Sequence, residues 1–197
     1  MQDQQPEPEQ LPHLTIPRAT VFYVAVFALA CLWSAFTEPG LDLLLRAPKA
    51  LAVPWWAGGA LAGLGLVALT MLAEPIFPAL RRLSEQLAPL VAPFHTSRIL
   101  TFALLSGICE EALFRGPMQH GLGYVLASLI FALLHGGTSR RFIAWSTFAL
   151  LAGLCFGLLA EIYGSFWPAA LAHVVVNGIN LRRLAPVWSR LADKEQQ

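Results

Sequence analysis

Charge is scarce in this sequence: Asp, Glu, Lys and Arg make up 13% of its 197 residues, where an ordinary soluble domain has about 25%. So few charges cannot coat a water-facing surface, which excludes a soluble globular protein. The formal net charge of +1 leaves no basic stripe to track phosphates, which excludes a nucleic-acid partner. Cysteine is nearly absent. Cys31, Cys109 and Cys155 are odd in number, far apart and set in apolar runs, so they form no disulfide framework and no CxxC metal motif. No internal repeat is evident. The N-terminus lacks the basic region of a signal peptide, and no cleavage site follows the first apolar run, which is therefore expected to stay as an anchor.

What the sequence has is hydrophobic residues, 56% of the total, with a mean hydropathy of +0.59. A spanning helix needs about 20 mainly apolar residues, and six candidates lie at roughly 19–37, 54–76, 98–119, 122–139, 142–163 and 165–182. Between the second and third, Leu80, Leu83, Leu87 and Leu90 recur at helical spacing, with Arg81, Arg82, Glu85 and Gln86 mostly on other faces. That pattern predicts a short amphipathic helix on the membrane surface; a plain connecting loop is the alternative. The expected fold is all-α, a polytopic transmembrane bundle of about six spans plus this interfacial helix. Residues 1–18, polar and proline-rich, are expected as a disordered tail, 19–183 as the membrane domain and 184–197 as a cytoplasmic C-terminal tail.

Lys and Arg set the expected orientation. With the N-terminus inside, the inner side holds Arg18, Arg81, Arg82, Arg98, Arg140, Arg141, Arg182, Arg183, Arg190 and Lys194; the outer side holds Arg46 and Lys49, with Arg115 in a helix near that side. Both termini are expected in the cytoplasm. Gly59 with Gly63, and Gly153 with Gly157, form small-xxx-small pairs suited to close helix packing.

Against this apolar background stands the stretch "GICEEALFRGPMQH", residues 107–120. An ionised group at a bilayer centre costs about 2.5–3.5 kcal/mol on insertion scales, so its three charges could cost up to about 8–10 kcal/mol unless compensated. Glu111 and Arg115 are four residues apart, roughly 40° around a helix, and can pair with each other. Glu110 lies about 140° from Arg115. It has no local partner, which leaves its carboxylate available for chemistry.

His135, and His173 with Asn177 at i and i+4, are the other intramembrane polar groups. A rise of 1.5 Å per residue places Glu110 at ~18 Å from the inner side, His135 at ~14 Å, His173 at ~18 Å and Asn177 at ~12 Å. One level near mid-membrane is what a single intramembrane site requires. Taken singly, each group also has a structural reading: His135 as a hydrogen-bonded packing residue, His173/Asn177 as interhelical glue, EExxxR as a plain ion pair. His13, His95 and His120 are expected on the surface or in loops.

The order Glu110-Glu111-Ala-Leu-Phe-Arg115, Phe131-Ala-Leu-Leu-His135 and His173-Val-Val-Val-Asn177 resembles the CPBP membrane family, which contains the type II CAAX prenyl endopeptidases. The likeness covers roughly residues 98–182; the family's endopeptidases have more spans than this chain has room for. It implies a glutamate-type intramembrane endopeptidase without cofactor or metal. In that scheme Glu110 activates water, and His135 orients it and passes a proton to the leaving amine. His173 and Asn177 donate to the oxyanion, and Glu111 with Arg115 supports the helix. A membrane-embedded or membrane-anchored protein or peptide is the expected substrate, and a bacterial inner membrane the expected location.

Three other readings stand beside it. Some relatives are non-catalytic bacteriocin-immunity or membrane interaction proteins. A Glu/His₂ set is also a known zinc combination, though HExxH spacing is absent. A transporter, whose buried charges mark a proton path, is disfavoured by the lack of inverted repeats.

Overall fold

The computed structural model describes residues 15–92, 95–136 and 142–195, and every regular element among them is helical. In chain order these are α1 (Ile16–Ala35), the single turn α2 (Asp42–Leu45), α3 (Trp55–Ala73), α4 (Pro78–Val91), α5 (Thr96–Leu113), a π-helical turn (Phe114–Met118), α6 (Gln119–Gly136), α7 (Ile143–Tyr163), α8 (Trp167–Arg183) and α9 (Ala185–Glu195). Residues 1–14 with His13, residues 137–139 of the expected fourth span, Arg140 and Arg141, and the Leu90 side chain lie outside what is described.

Among the described residues, four helical runs are long and apolar enough to cross a membrane: Ile16–Ala35, Trp55–Ala73, Thr96–Gly136 and Ile143–Tyr163. The third has 41 residues, twice what one crossing needs, and it reverses. Gly116 (ψ −114°) and Pro117 break the helix after α5. Gly123 then turns the chain with φ +78°, a conformation open to glycine because it has no Cβ. Contacts across the reversal, such as Phe114 against Phe131 at 4.9 Å between centroids, show α6 running back along α5. α8 has 17 residues and carries polar groups, so it is less apolar than these runs; it packs centrally against α3, α5 and α7. The described residues thus form the expected all-α polytopic bundle, with four runs suited to crossing a membrane where about six spans were expected. Val21, Leu72 and Leu134 are strongly exposed, as lipid-facing side chains of an integral membrane protein are.

Local sequence sets the breaks. Thr15 caps α1 by accepting from the Arg18 N–H at 3.5 Å, and Pro17 occupies the first turn, where its missing N–H costs nothing. The helix therefore starts inside the stretch expected as tail. Pro78 opens α4 in the same way, and Gly164 in the left-handed region closes α7. The expected third span, 98–119, ends early at Leu113 because of Gly116 and Pro117, which puts Arg115 in the π turn.

The glycine pairs sit where helices approach. A Cβ at Gly59 or Gly63 would meet the Pro168 or Ala172 carbonyl of α8 at 2.6 or 2.7 Å. Gly153 and Gly157 face Ser128 and Tyr124 of α6 in the same manner. Gly107 matters most for the site: a Cβ there would lie 2.6 Å from Val174 Cγ2 and 2.9 Å from the Val174 nitrogen. Its absence lets α5 and α8 meet at the level of Glu110, Glu111 and His173.

The two ends of the bundle differ. At one end the expected tail is helix α9, and Leu184 and Val187 pack on Ala88 of α4. Arg183 Nη2 pairs there with Glu74 Oε2 at 2.6 Å, and Ser84 Oγ donates to Glu74 Oε1 at 3.3 Å. α4 is amphipathic as expected; Leu80, Leu83 and Leu87 line a cavity, and Leu87 also packs in the cluster that α4 forms with α9. At the other end, Ser165 Oγ donates to the Arg46 carbonyl at 2.8 Å and Tyr163 to the Val53 carbonyl at 3.1 Å.

Overpacking a tight contact costs about 1–3 kcal/mol. Gly107→Val should therefore lower the thermal midpoint and the amount of protein recovered in detergent. Gly65→Ala, a helix position with nothing within 4 Å of the new Cβ, should leave both unchanged.

Candidate active site

α5 presents two faces. Ser106 and Glu110, four residues apart, point into the cavity, while Glu111, the next residue, is turned about 100° toward α8. Glu111 has no exposed surface. Its Oε2 accepts from Arg115 Nε at 2.8 Å and its Oε1 from His173 Nδ1 at 2.8 Å. The ion pair expected from i,i+4 spacing is present; the bond to His173 was not foreseen. Because Arg115 is buried in this cluster, it does not count among loop charges that set orientation.

Glu110 lies on the cavity side, its side chain 12% exposed. Its Oε2 is buried without a hydrogen bond, and His135 Nε2 stands 3.5 Å away. The other ring nitrogen of His135, Nδ1, is 2.8 Å from the Phe131 carbonyl. A carbonyl only accepts, so Nδ1 carries a ring proton, and Nε2 is the nitrogen that faces the Glu110 carboxylate. A hydrogen bond between the two needs a proton on Nε2 or on the carboxylate.

Asn177 Nδ2 donates to Ser106 Oγ at 2.8 Å, and Ser106 Oγ donates to the Phe102 carbonyl at 2.8 Å. Ser106 thereby fixes which way the Asn177 amide faces. The second Nδ2 hydrogen remains free on a residue that lines the cavity. That cavity, of about 330 Å³, brings Glu110, His135, Asn177 and Ser106 together with Tyr23 of α1 and Trp145 of α7, and extends to Glu74 and Arg183 at the ends of α3 and α8, beside α4. The Tyr23 hydroxyl lies beside Glu110 and Ser106.

Phe131 sets the histidines. It is 2% exposed, and its ring contacts His135 (centroids 4.1 Å apart), His173 (5.9 Å) and Phe114 (4.9 Å), with the Arg115 guanidinium over it at 5.6 Å. Phe156 stacks on the other side of His173 at 5.2 Å. The phenylalanines of EEALFR and FxxxH are therefore the packing that holds the polar groups in register.

All six residues singled out in the sequence thus meet in one cluster. Ser106, Tyr23, Phe156 and Gln119 were missed. Ser106 and Gln119 had a signal, each lying four residues from a key charge (Glu110 and Arg115); Tyr23 and Phe156 had none, since long-range packing brings them in. His95 and His120 are exposed, His95 ahead of α5 and His120 within α6. No group of three His, Cys, Asp or Glu side chains among the described residues is arranged to hold a metal ion.

No solved structure matches the chain. The uncharacterized protein YpbD of Bacillus subtilis (strain 168) is 35% identical over 83 residues, covering 41% of this chain and 42% of that protein. The chain therefore matches less than half the length of this relative. Residues 92–179 match the family described as type II CAAX prenyl endopeptidase Rce1-like. They include all three motifs and every cluster residue except Tyr23. The part of the chain that builds the site is thus similar to the type II CAAX prenyl endopeptidase Rce1-like family.

Proposed function

We propose that the protein is an intramembrane endopeptidase in which Glu110 activates water for attack on a peptide carbonyl. The single observation that carries this reading is the pairing of Glu110 Oε2, buried and without a hydrogen bond, with His135 Nε2 at 3.5 Å on the wall of the cavity. Water seated there donates to Glu110 as it attacks. The proton taken up by the carboxylate passes through His135 to the departing amine, and His135 is held for that role by its bond to Phe131 and by the Phe131 ring.

The oxyanion forms on the side of the carbonyl away from that water, where Asn177 offers its free amide hydrogen. With Nδ1–H given to Glu111, His173 can donate at Nε2 only as the imidazolium. Glu111 and Arg115 are positioning residues, since they touch other protein groups and not the cavity water. The alternatives expected from sequence, an inactive immunity or interaction protein and a zinc protease, have no observation of their own in the site.

The charged end of the bundle, where α4, α9 and the mouth of the cavity lie, is the end proposed to face the cytoplasm. That sidedness follows from Arg81, Arg82, Arg98, Arg182, Arg190 and Lys194. The substrate class proposed is a membrane-anchored protein or peptide that reaches the cavity from that side. Terminal-peptide mapping of membrane proteomes from wild-type and Glu110→Ala cells tests it: new termini confined to the wild type name the substrate, and identical maps reject the protease reading.

Three measurements separate the roles. Glu110→Gln keeps the shape and removes the base, so the purified variant should fold normally and show no turnover; normal turnover would remove Glu110 from that role. Glu111→Gln should also reduce accumulation in the membrane, because breaking one partner of a buried pair costs about 3–5 kcal/mol.

Asn177→Ala should lower kcat about 10²–10³-fold with KM little changed, as expected for a donor used in the transition state. A raised KM at unchanged kcat would reassign Asn177 to substrate binding.

Exhaustive dialysis against EDTA and phenanthroline should leave activity intact. Loss that stoichiometric zinc restores would replace the metal-free mechanism and make His135 and His173 ligands.

A further inference from the structure

Arg115 meets Glu111 in an unusual way. A guanidinium and a carboxylate usually pair by two parallel bonds, yet here only Nε reaches Glu111, at Oε2. Nη2, on the same edge of the guanidinium, is buried and has no hydrogen-bond partner. Glu111 Oε1 accepts from His173 instead, but its second lone pair is still open, so that bond alone does not keep Nη2 away.

Something must keep the guanidinium from turning into the two-bond arrangement, and the groups on its other edge do so. Arg115 Nη1 donates to Ser128 Oγ at 3.2 Å and to Gln119 Oε1 at 3.5 Å. Gln119, 5% exposed, is itself anchored on α7, donating from Nε2 to Glu161 Oε1 at 2.8 Å and to the Gly157 carbonyl at 3.0 Å. A Cβ at residue 157 would stand 3.2 Å from both Arg115 Nη1 and Gln119 Oε1, so glycine there leaves the room these bonds need. Glu161 is exposed and borders a second, smaller pocket of about 130 Å³, lined also by Arg46 and Ser165 at the end of the bundle opposite the main cavity.

We infer that Gln119 and Glu161 are positioning residues: by drawing Nη1 toward α7 they hold Arg115 on Glu111 by one bond and so reserve the other carboxylate oxygen for His173. The control runs from the face opposite the cavity to the ring that faces the oxyanion. Without Gln119, Nη1 keeps only Ser128, Nη2 can close the second bond on Glu111 Oε1, and His173 Nδ1 then shares that oxygen with a cationic donor and is bound more weakly. The inference deepens the protease reading and rests on it for the consequence in kcat, though not for the state of the His173 ring.

The test uses the full chain, labelled with ¹⁵N-histidine, in lipid bilayers. The His173 ring signals are assigned by their loss in His173→Gln. In Gln119→Leu the Nδ1 signal should shift toward that of a ring more weakly bound to its carboxylate. In the peptide assay kcat should fall about tenfold with KM within about twofold, the split expected of a group acting through the transition state. Glu161→Ala, at an exposed position, should move both readouts in the same direction by less. Glu161→Gln, whose amide oxygen still accepts from Gln119, should restore them.

Unchanged His173 signals in Gln119→Leu would overturn the inference, whatever the activity. Should that variant fail to accumulate, unchanged signals in Glu161→Ala would do the same. If the wild type shows no Glu110-dependent cleavage, the protease reading falls, and the ring signals still decide the positioning role.

Discussion

Glu111 has no exposed surface, and a carboxylate so placed in a membrane protein has to be neutralised by groups brought to it. Arg115 comes from the same stretch of chain, one turn away, and His173 from α8, 62 residues later. Local and distant partners on one carboxylate tie the π turn and α8 to α5 in a fixed rotation. That rotation sends Glu110 and Ser106 to the cavity, and it sets His173 and Asn177 against α5 one turn apart. Breaking a buried pair by removing one partner is far costlier than never burying it, so the cluster constrains which helix packing is allowed. Gly107 removes the steric obstacle to that packing, and Phe131 fills the space between the two histidines.

Much of this was legible in the sequence because the informative spacings are local. Glu111 with Arg115 and His173 with Asn177 are i,i+4 pairs, so helix geometry alone puts each pair on one face. Depth arithmetic then puts Glu110, His135, His173 and Asn177 at one level, and the structure brings them into one cluster. The glycine pairs at 59/63 and 153/157 were legible for the same reason. Apolar run lengths likewise marked the helices that cross, although α8 carries enough polar residues to be the least membrane-like of them.

What was not legible depends on the tertiary fold. Nothing in the sequence around Tyr23 says that α1 lies against the face of α5 that carries Glu110. The partner of α4 could not be inferred either: its leucines fit a membrane surface as well as a protein cavity, and residues 185–195, which fold against it, were expected as a tail. The early end of α5 had a local signal in Gly116 and Pro117. A periodicity count runs through those two residues, because they leave the apolar composition intact while changing the backbone path.

Adjacent glutamates in one helix could look redundant, yet the geometry makes their roles exclusive. Successive residues point about 100° apart, so one side chain faces α8 when the other faces the cavity. The residue facing α8 is paired at both oxygens and has no exposed surface, so water does not reach it. Its neighbour, in the base role proposed for it, must keep an oxygen unpaired, which is tolerable only beside a cavity. Glu111 and Glu110 meet these opposite requirements. The pairing of the first is what lets the second stay unpaired, because the helix is anchored by a charge that takes no part in the chemistry.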